Sequence, residues 1–302
     1  MSVTMPPPQP SGVRDPAALS GWAGHPERVG FFTDTSICIG CKACEVACKE
    51  WNDVPEDGIN WLGQSYDHTG ELGASTWRHV AFIEQRARIP AQEAGVDAPL
   101  IEDVPLTQLE REQGFRWLMS SDVCKHCTSA ACLDVCPTGA LFRTEFGTVV
   151  VQEDVCNGCG YCVPACPFGV IDQRKSDGRV WKCTLCYDRL RGGFEPACAQ
   201  ACPTQSIQFG PLDELRLKAD DRVHRLHDEG VPQARLYGHD DDDGVGGFGA
   251  FFLLLDDPEV YRLPPDPVVP TRDLKEMWTT AAKAAATLIA ATALAFAGRR
   301  AR

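Results

Sequence analysis

Cys156-Asn157-Gly158-Cys159-Gly160-Tyr161-Cys162-Val163-Pro164-Ala165-Cys166-Pro167 is the stretch from which the rest of the chain can be read. Three cysteines at intervals of three fit one tight loop, which turns three sulfurs and several backbone N–H groups toward a common centre. The fourth lies where the chain has left that loop. The spacing C-x2-C-x2-C-x3-C is how chains hold cubane iron–sulfur clusters with thiolates. Proline after the last cysteine has no N–H to donate and a fixed φ, which suits a chain leaving the cage. Three further groups repeat the pattern. In chain order, group one is Cys38, Cys41, Cys44 and Cys48; group two is Cys124, Cys127, Cys132 and Cys136; group three is the quoted stretch; group four is Cys183, Cys186, Cys198 and Cys202. The central gap widens to four residues in group two and the second gap to eleven in group four. All 16 cysteines are used, and sixteen thiolates make four [4Fe–4S] clusters.

Other cysteine chemistries fit less well. A zinc ribbon takes its four ligands from two C-x2-C pairs and has no use for further cysteines at these offsets. Cysteines two residues apart within one turn are poorly placed for disulfides. Radical chemistry with S-adenosylmethionine would want C-x3-C-x2-C, but Trp51, Gly139, Gly169 and Gln205 stand where its cysteine would be.

In two-cluster ferredoxins the fourth cysteine ligates the other cluster, so the groups work in pairs. Groups two and three are separated by a hairpin-like stretch, Ala140–Arg143 and Thr148–Gln152 around Glu145-Phe146-Gly147, and form one module. Groups one and four then pair across it. The expected ligand sets are Cys38, Cys41, Cys44 with Cys202; Cys183, Cys186, Cys198 with Cys48; Cys124, Cys127, Cys132 with Cys166; and Cys156, Cys159, Cys162 with Cys136. The fold class is α+β: two interleaved bacterial-type two-[4Fe–4S] ferredoxin modules and a C-terminal transmembrane helix.

The expected domains are a Pro-rich arm over 1–30, the first half of module A with an insert over 31–118, and module B over 119–175. The second half of module A covers 176–255, a linker 256–276, the membrane helix 277–298 and a basic tail 299–302. Strands are expected at Phe31–Asp34 and Trp77–Ile83, and an amphipathic helix over Pro211–Glu229 ending at Gly230. Asp240–Asp243 reads as an exposed, solvated loop. The segment Trp278–Ala297 spans about 30 Å as a helix, enough for a bilayer core, although it is alanine-rich and contains Lys283. Residues 1–30 show neither an apolar secretory stretch nor a twin-arginine pair, so export is expected only with a partner. The net charge of −13 falls to about −21 if each cluster adds about −2, which argues against nucleic acid as a partner.

Cys38-Ile39-Gly40-Cys41-Lys42-Ala43-Cys44, Glu50-Trp51-Asn52, Cys156–Cys162, Lys182-Cys183-Thr184-Leu185-Cys186, Gly244-Val245-Gly246-Gly247 and the Leu263-Pro264-x-Asp266-Pro267 tail carry a family likeness. From about Phe31 onward the chain resembles the iron–sulfur β subunit of membrane-bound, molybdenum- or tungsten-dependent formate dehydrogenase. The resemblance implies a molybdopterin-bearing catalytic α subunit, a membrane γ subunit of cytochrome b type, and a non-catalytic role as the wire between them at the cytoplasmic membrane. Arg299, Arg300 and Arg302 after the segment Trp278–Ala297 fit the positive-inside rule, which places the cluster-bearing body on the outer face. Nitrate reductase subunits are similar but have tryptophan for one group-three cysteine; here Cys159 fills that place. The cysteines alone leave open the equivalent subunit of another molybdopterin oxidoreductase or hydrogenase, or a soluble polyferredoxin. His126, Lys42, Lys125 and Lys182 adjoin ligating positions, where they either tune the clusters or are simply solvated.

Overall fold

The computed structural model describes residues 15–58, 66–86, 115–269, 271–272 and 274–300; residues 1–14 of the arm and two stretches of the insert lie outside them. In chain order the strands are β1 (Val29–Asp34), β2 (Arg78–Arg86), β3 (Phe115–Val123), β4 (Leu141–Arg143), β5 (Val149–Val151), β6 (Asp172–Gln173), β7 (Val180–Trp181), β8 (Ile207–Pro211), β9 (Arg235–Tyr237) and β10 (Ala250–Leu254). The helices are α1 (Pro16–Leu19), α2 (Ala43–Trp51), α3 (Ala131–Asp134), α4 (Cys162–Ala165), α5 (Tyr187–Arg191), α6 (Ala197–Gln200), α7 (Leu212–Asp228) and α8 (Leu274–Arg300).

β1 and β10 decide how the sequence ends meet. Ala250-Phe251-Phe252-Leu253-Leu254 is an unbroken apolar run, buried throughout, as a strand covered on both faces requires. It pairs in parallel with β1, from Phe31 opposite Ala250 to Asp34 opposite Leu253. β8 pairs antiparallel on the other side of β1, and β9 closes the order β8-β1-β10-β9. Because group one follows β1 and group four precedes β8, this sheet brings those two groups together. The Asp34 N–H donates to the Ser206 carbonyl at 2.8 Å and the Ser206 hydroxyl donates back to the Asp34 carbonyl at 2.7 Å. Arg222 of α7 clamps the same corner, donating to Asp34 Oδ2 and to Ser36 Oγ, each at 2.9 Å.

β4 and β5 form the hairpin between groups two and three, antiparallel from Leu141–Val151 to Arg143–Val149. β2 and β3 make a longer ribbon from the insert, with Arg78 opposite Val123 and Arg86 opposite Phe115. α7 lies close to the extent its apolar spacing predicts, with Leu212, Leu215, Ala219 and Leu226 buried and Gly230 turning the chain at φ +86°. At residues 16–19 the arm is a helical turn, not extended chain: Asp15 caps it by accepting from the Ala17 and Ala18 N–H groups at 3.0 and 3.2 Å, with Pro16 in the first turn. The acidic loop is tied down as well. Asp241 pairs with Arg216, and Asp243 Oδ1 accepts from the Val245 and Gly247 N–H groups at 2.9 and 2.8 Å.

The expected membrane segment is a helix, α8, and its 27 residues reach about 40 Å. Among the described residues, however, no helix is long and apolar enough to cross a membrane. Ten of its residues are alanine and Lys283 lies within it, so the length is met and the hydropathy is not. Trp278, Leu288, Ile289 and Phe296 are all exposed.

Candidate metal centres

Each group is built on the same local geometry. The residue before the second cysteine is left-handed in all four: Gly40 at φ 64°, His126 at 45°, Gly158 at 71° and Leu185 at 56°. Glycine takes this conformation freely, so at His126 and Leu185 the loop holds a side chain where strain of about 1–2 kcal/mol is expected. The third and fourth cysteines are four apart, on or beside one helical turn: Cys44 and Cys48 on α2, Cys132 on α3 with Cys136 just after, Cys162 and Cys166 at the two ends of α4, and Cys198 on α6 before Cys202. A helical turn stacks such side chains one above the other on one face, so they can serve two neighbouring centres.

The thiols gather in mixed sets. Cys38 is influenced by Cys44 and Cys202; Cys48 by Cys183, Cys198 and Cys186; Cys127 by Cys124, Cys166 and Cys132; Cys162 by Cys136, Cys156 and Cys159. In each case the fourth sulfur comes from the other group of the pair. Burial first, and then crowding by other thiols, pushes these four groups above the ordinary thiol range, Cys162 to about 11. The Asn52 amide lies 3.8 Å from the Cys48 sulfur and 3.7 Å from the Cys186 sulfur, tying α2 to group four. A small cavity is lined by Cys124, Cys127, Cys132 and Cys166, with His126 and Lys182 in its wall; Cys136 is not among its lining residues.

Polar atoms left without protein partners fit an anionic group at these places. His126 is buried and its Nδ1 accepts from the Val149 N–H at 3.1 Å, which puts the proton on Nε2, and that atom has no partner among the described residues. Burial, and then Lys182 and Arg143, holds its pKa well below the usual histidine range, so the ring is neutral. Lys125 and Lys182, expected either as tuners or as solvated surface, are both buried. Lys125 pairs with Asp122, whereas among the described residues Lys182 donates to the Val149 and Cys183 carbonyls. Lys42 is half-buried and occupied by Glu45 and Asp67. A buried arginine, Arg78, comes from the insert strand β2 and carries no motif that sequence reading would single out. Among the described residues no three Cys, His, Asp or Glu side chains converge where one metal ion could sit. Four thiolates on a cubane each bind a different iron, so they stand further apart than four around one zinc.

Comparison with known proteins agrees with this chemistry. Two 4Fe-4S dicluster domains match, over residues 37–140 and 115–212. The formate dehydrogenase iron–sulfur subunit of Haemophilus influenzae is 38% identical over 249 residues, 81% of this chain and 71% of that protein. The iron–sulfur subunit of the nitrate-inducible formate dehydrogenase of Escherichia coli is 37% identical over 266 residues, 87% of this chain and 78% of the relative. This chain belongs to the family of formate dehydrogenase iron–sulfur subunits. The family reaches further, since the B subunit of the anaerobic dimethyl sulfoxide reductase of Escherichia coli is 36% identical over 192 residues, 64% of this chain and 78% of that protein. As a member the chain is an electron-transfer subunit with four [4Fe–4S] clusters.

Proposed function

We propose that this chain carries electrons from a formate-oxidising molybdopterin subunit to a cytochrome b-type membrane subunit, through clusters held by the four crossed cysteine sets named above. When bound, the clusters supply one-electron carriers; the chain supplies their order, spacing and surroundings.

The observation that carries the reading is a linear order with two open ends. Cys44 of group one neighbours Cys198 of group four, Cys183 of group four neighbours Cys124 of group two, and Cys132 of group two neighbours Cys162 of group three. The order one-four-two-three therefore runs through the interior. At its ends stand Cys41 and Cys159, the two exposed cysteines of the sixteen. Beside them Ile39 and Val46, and Tyr161 and Val155, expose apolar side chains that suit transient or permanent protein contact.

The membrane end is argued from α8. The segment leading into it leaves from group two and three territory, where Thr271 Oγ1 donates to Asp134 Oδ2 of α3 at 2.5 Å and Val269 lines the cysteine cavity. The group-three end then faces the membrane subunit and the group-one end the catalytic subunit. Within α8, Thr287 and Thr292 donate back to the Lys283 and Leu288 carbonyls at 2.9 Å, which satisfies both hydroxyls without water. In this reading α8 is a single span packed against the membrane subunit, which makes up for its modest hydropathy. Trp278 lies at the outer interface with the body outside, and Arg299, Arg300 and Arg302 lie inside.

In membranes holding the native complex, formate should reduce all four clusters within turnover, and deletion of 274–302 should release the subunit with its clusters intact. Reoxidation of the clusters by a sulfoxide, with no reduction by formate, would assign the chain to the reductase branch instead.

A further inference from the structure

Arg78 is the largest side chain among the described residues that is all but fully buried, with 1% of its surface exposed. Its Nη1 donates to Ser121 Oγ at 3.0 Å and to the Ser121 carbonyl at 3.3 Å, and the guanidinium stacks over Phe31, 4.9 Å from the ring centre. Nε and Nη2 are buried with no partner among the described residues. No carboxylate among those residues pairs with it. A buried guanidinium with unanswered N–H donors is strongly unfavourable unless an anion stands next to it.

The anions available are cluster thiolates. Four cysteines act on Arg78 electrostatically: Cys198, Cys44, Cys183 and Cys48. Cys44 belongs to the group-one set, and Cys48, Cys183 and Cys198 to the group-four set. Ser121 ties the arginine to the first of these, because its hydroxyl lies 3.2 Å from the Cys44 sulfur. β2 and β3 thus lead an arginine from the insert into the space between two cysteine sets that neither strand supplies.

We propose that Arg78 is a positioning residue for electron transfer, a fixed cation shared by the group-one and group-four clusters that raises both reduction potentials. Each one-electron reduction adds one negative charge beside it, so the cation favours the reduced state of either cluster. The buried site excludes the water that would otherwise screen that charge. The proposal rests on the crossed ligand sets proposed above. An error there shows in iron counts of paired cysteine variants, whereas an error about Arg78 shows only in potentials.

The test is a potentiometric titration of the native complex with dithionite and mediators, followed by electron paramagnetic resonance. Arg78→Gln should lower the equilibrium constant for reducing the group-one and group-four clusters by about tenfold or more, a negative shift of about 59 mV for a one-electron couple. The other two clusters should keep their potentials. Arg78→Lys, which keeps the charge and loses the fork, should shift the same two clusters in the same direction by less. Ser121→Ala should affect the group-one cluster more than the group-four cluster. Unchanged potentials in Arg78→Gln with four clusters present overturn the proposal, and so does a shift in one cluster of the pair alone. If Arg78→Gln does not assemble, Arg78→Met, which is neutral and fills much of the same space, decides: unchanged potentials at both clusters refute the role.

Discussion

Removing Cys48 should damage a centre whose other sulfurs lie well over a hundred residues away in sequence. Cys48 is buried on α2, within the influence of Cys183, Cys198 and Cys186, and the Asn52 amide touches its sulfur and that of Cys186. A single loss is ambiguous, since three ligands can still hold a three-iron cluster. Pairs of substitutions remove the ambiguity, because two lost corners leave no cubane. With four clusters the chain holds about sixteen irons, so a pair within one cluster leaves about twelve, whereas a pair split over two clusters leaves about fourteen where each becomes a three-iron cluster and about eight where both are lost. Crossed ligation places Cys48 with Cys183, and Cys41 in a different set. Cys48→Ala with Cys183→Ala should therefore leave about twelve irons, and Cys48→Ala with Cys41→Ala about fourteen with a three-iron signal in the oxidised protein, or about eight without one. This is a double-mutant cycle in which non-additivity reports a shared site. Iron and acid-labile sulfide are measured on purified subunit, with spin integration after dithionite reduction as an independent count. The reverse result, about fourteen or about eight irons for the Cys48 and Cys183 pair and about twelve for the Cys48 and Cys41 pair, would falsify the crossed scheme.

Gly238→Ala should destabilise the body by about 2–5 kcal/mol, because the new Cβ would fall 1.9 Å from a ring carbon of the buried Phe248 at a backbone φ of +79°; a melting temperature equal to wild type would count against this packing. His126→Ala leaves the buried Val149 N–H without its acceptor and should cost about 1–3 kcal/mol, read by thermal unfolding of the loaded protein, with an unchanged midpoint as the contrary result. Stripping iron with a chelator and an oxidant should unfold the body, since Cys44, Cys48, Cys124, Cys183 and Cys198 are part of its main core; retention of the native melting transition by the apo chain would show that the sheets suffice alone.

The motif spacing made the cysteine groups and the hairpin between groups two and three legible, because both depend on contacts a few residues apart. What closes the first module was not legible in the same way. β10 holds five residues with a clear apolar signal, but its parallel pairing with β1 joins residues more than two hundred apart, and no local pattern carries such a register. Arg78 was hidden for a related reason. Alternation puts it on the face of Val80 and Phe82, but an arginine in a strand reads as a charge that escapes to solvent, and only the fold shows it buried beside two cysteine sets. Lys182 and Lys125, read evenly between tuning and solvation, are decided by burial, which adjacency to a cysteine does not fix.

The placement of the buried cations follows the cluster order. Arg78 stands beside the group-four set and Lys182 acts on Cys132 of the group-two set, the two inner positions of the series. Among the described residues neither has a carboxylate partner, whereas Lys125 has Asp122 and Lys42 has Glu45 and Asp67. A buried cluster has no solvent to stabilise an added electron, and reducing it without a nearby cation would be uphill for the next transfer. In the proposed series, unpaired cations at the inner positions would therefore keep the interior from becoming a barrier between its two ends.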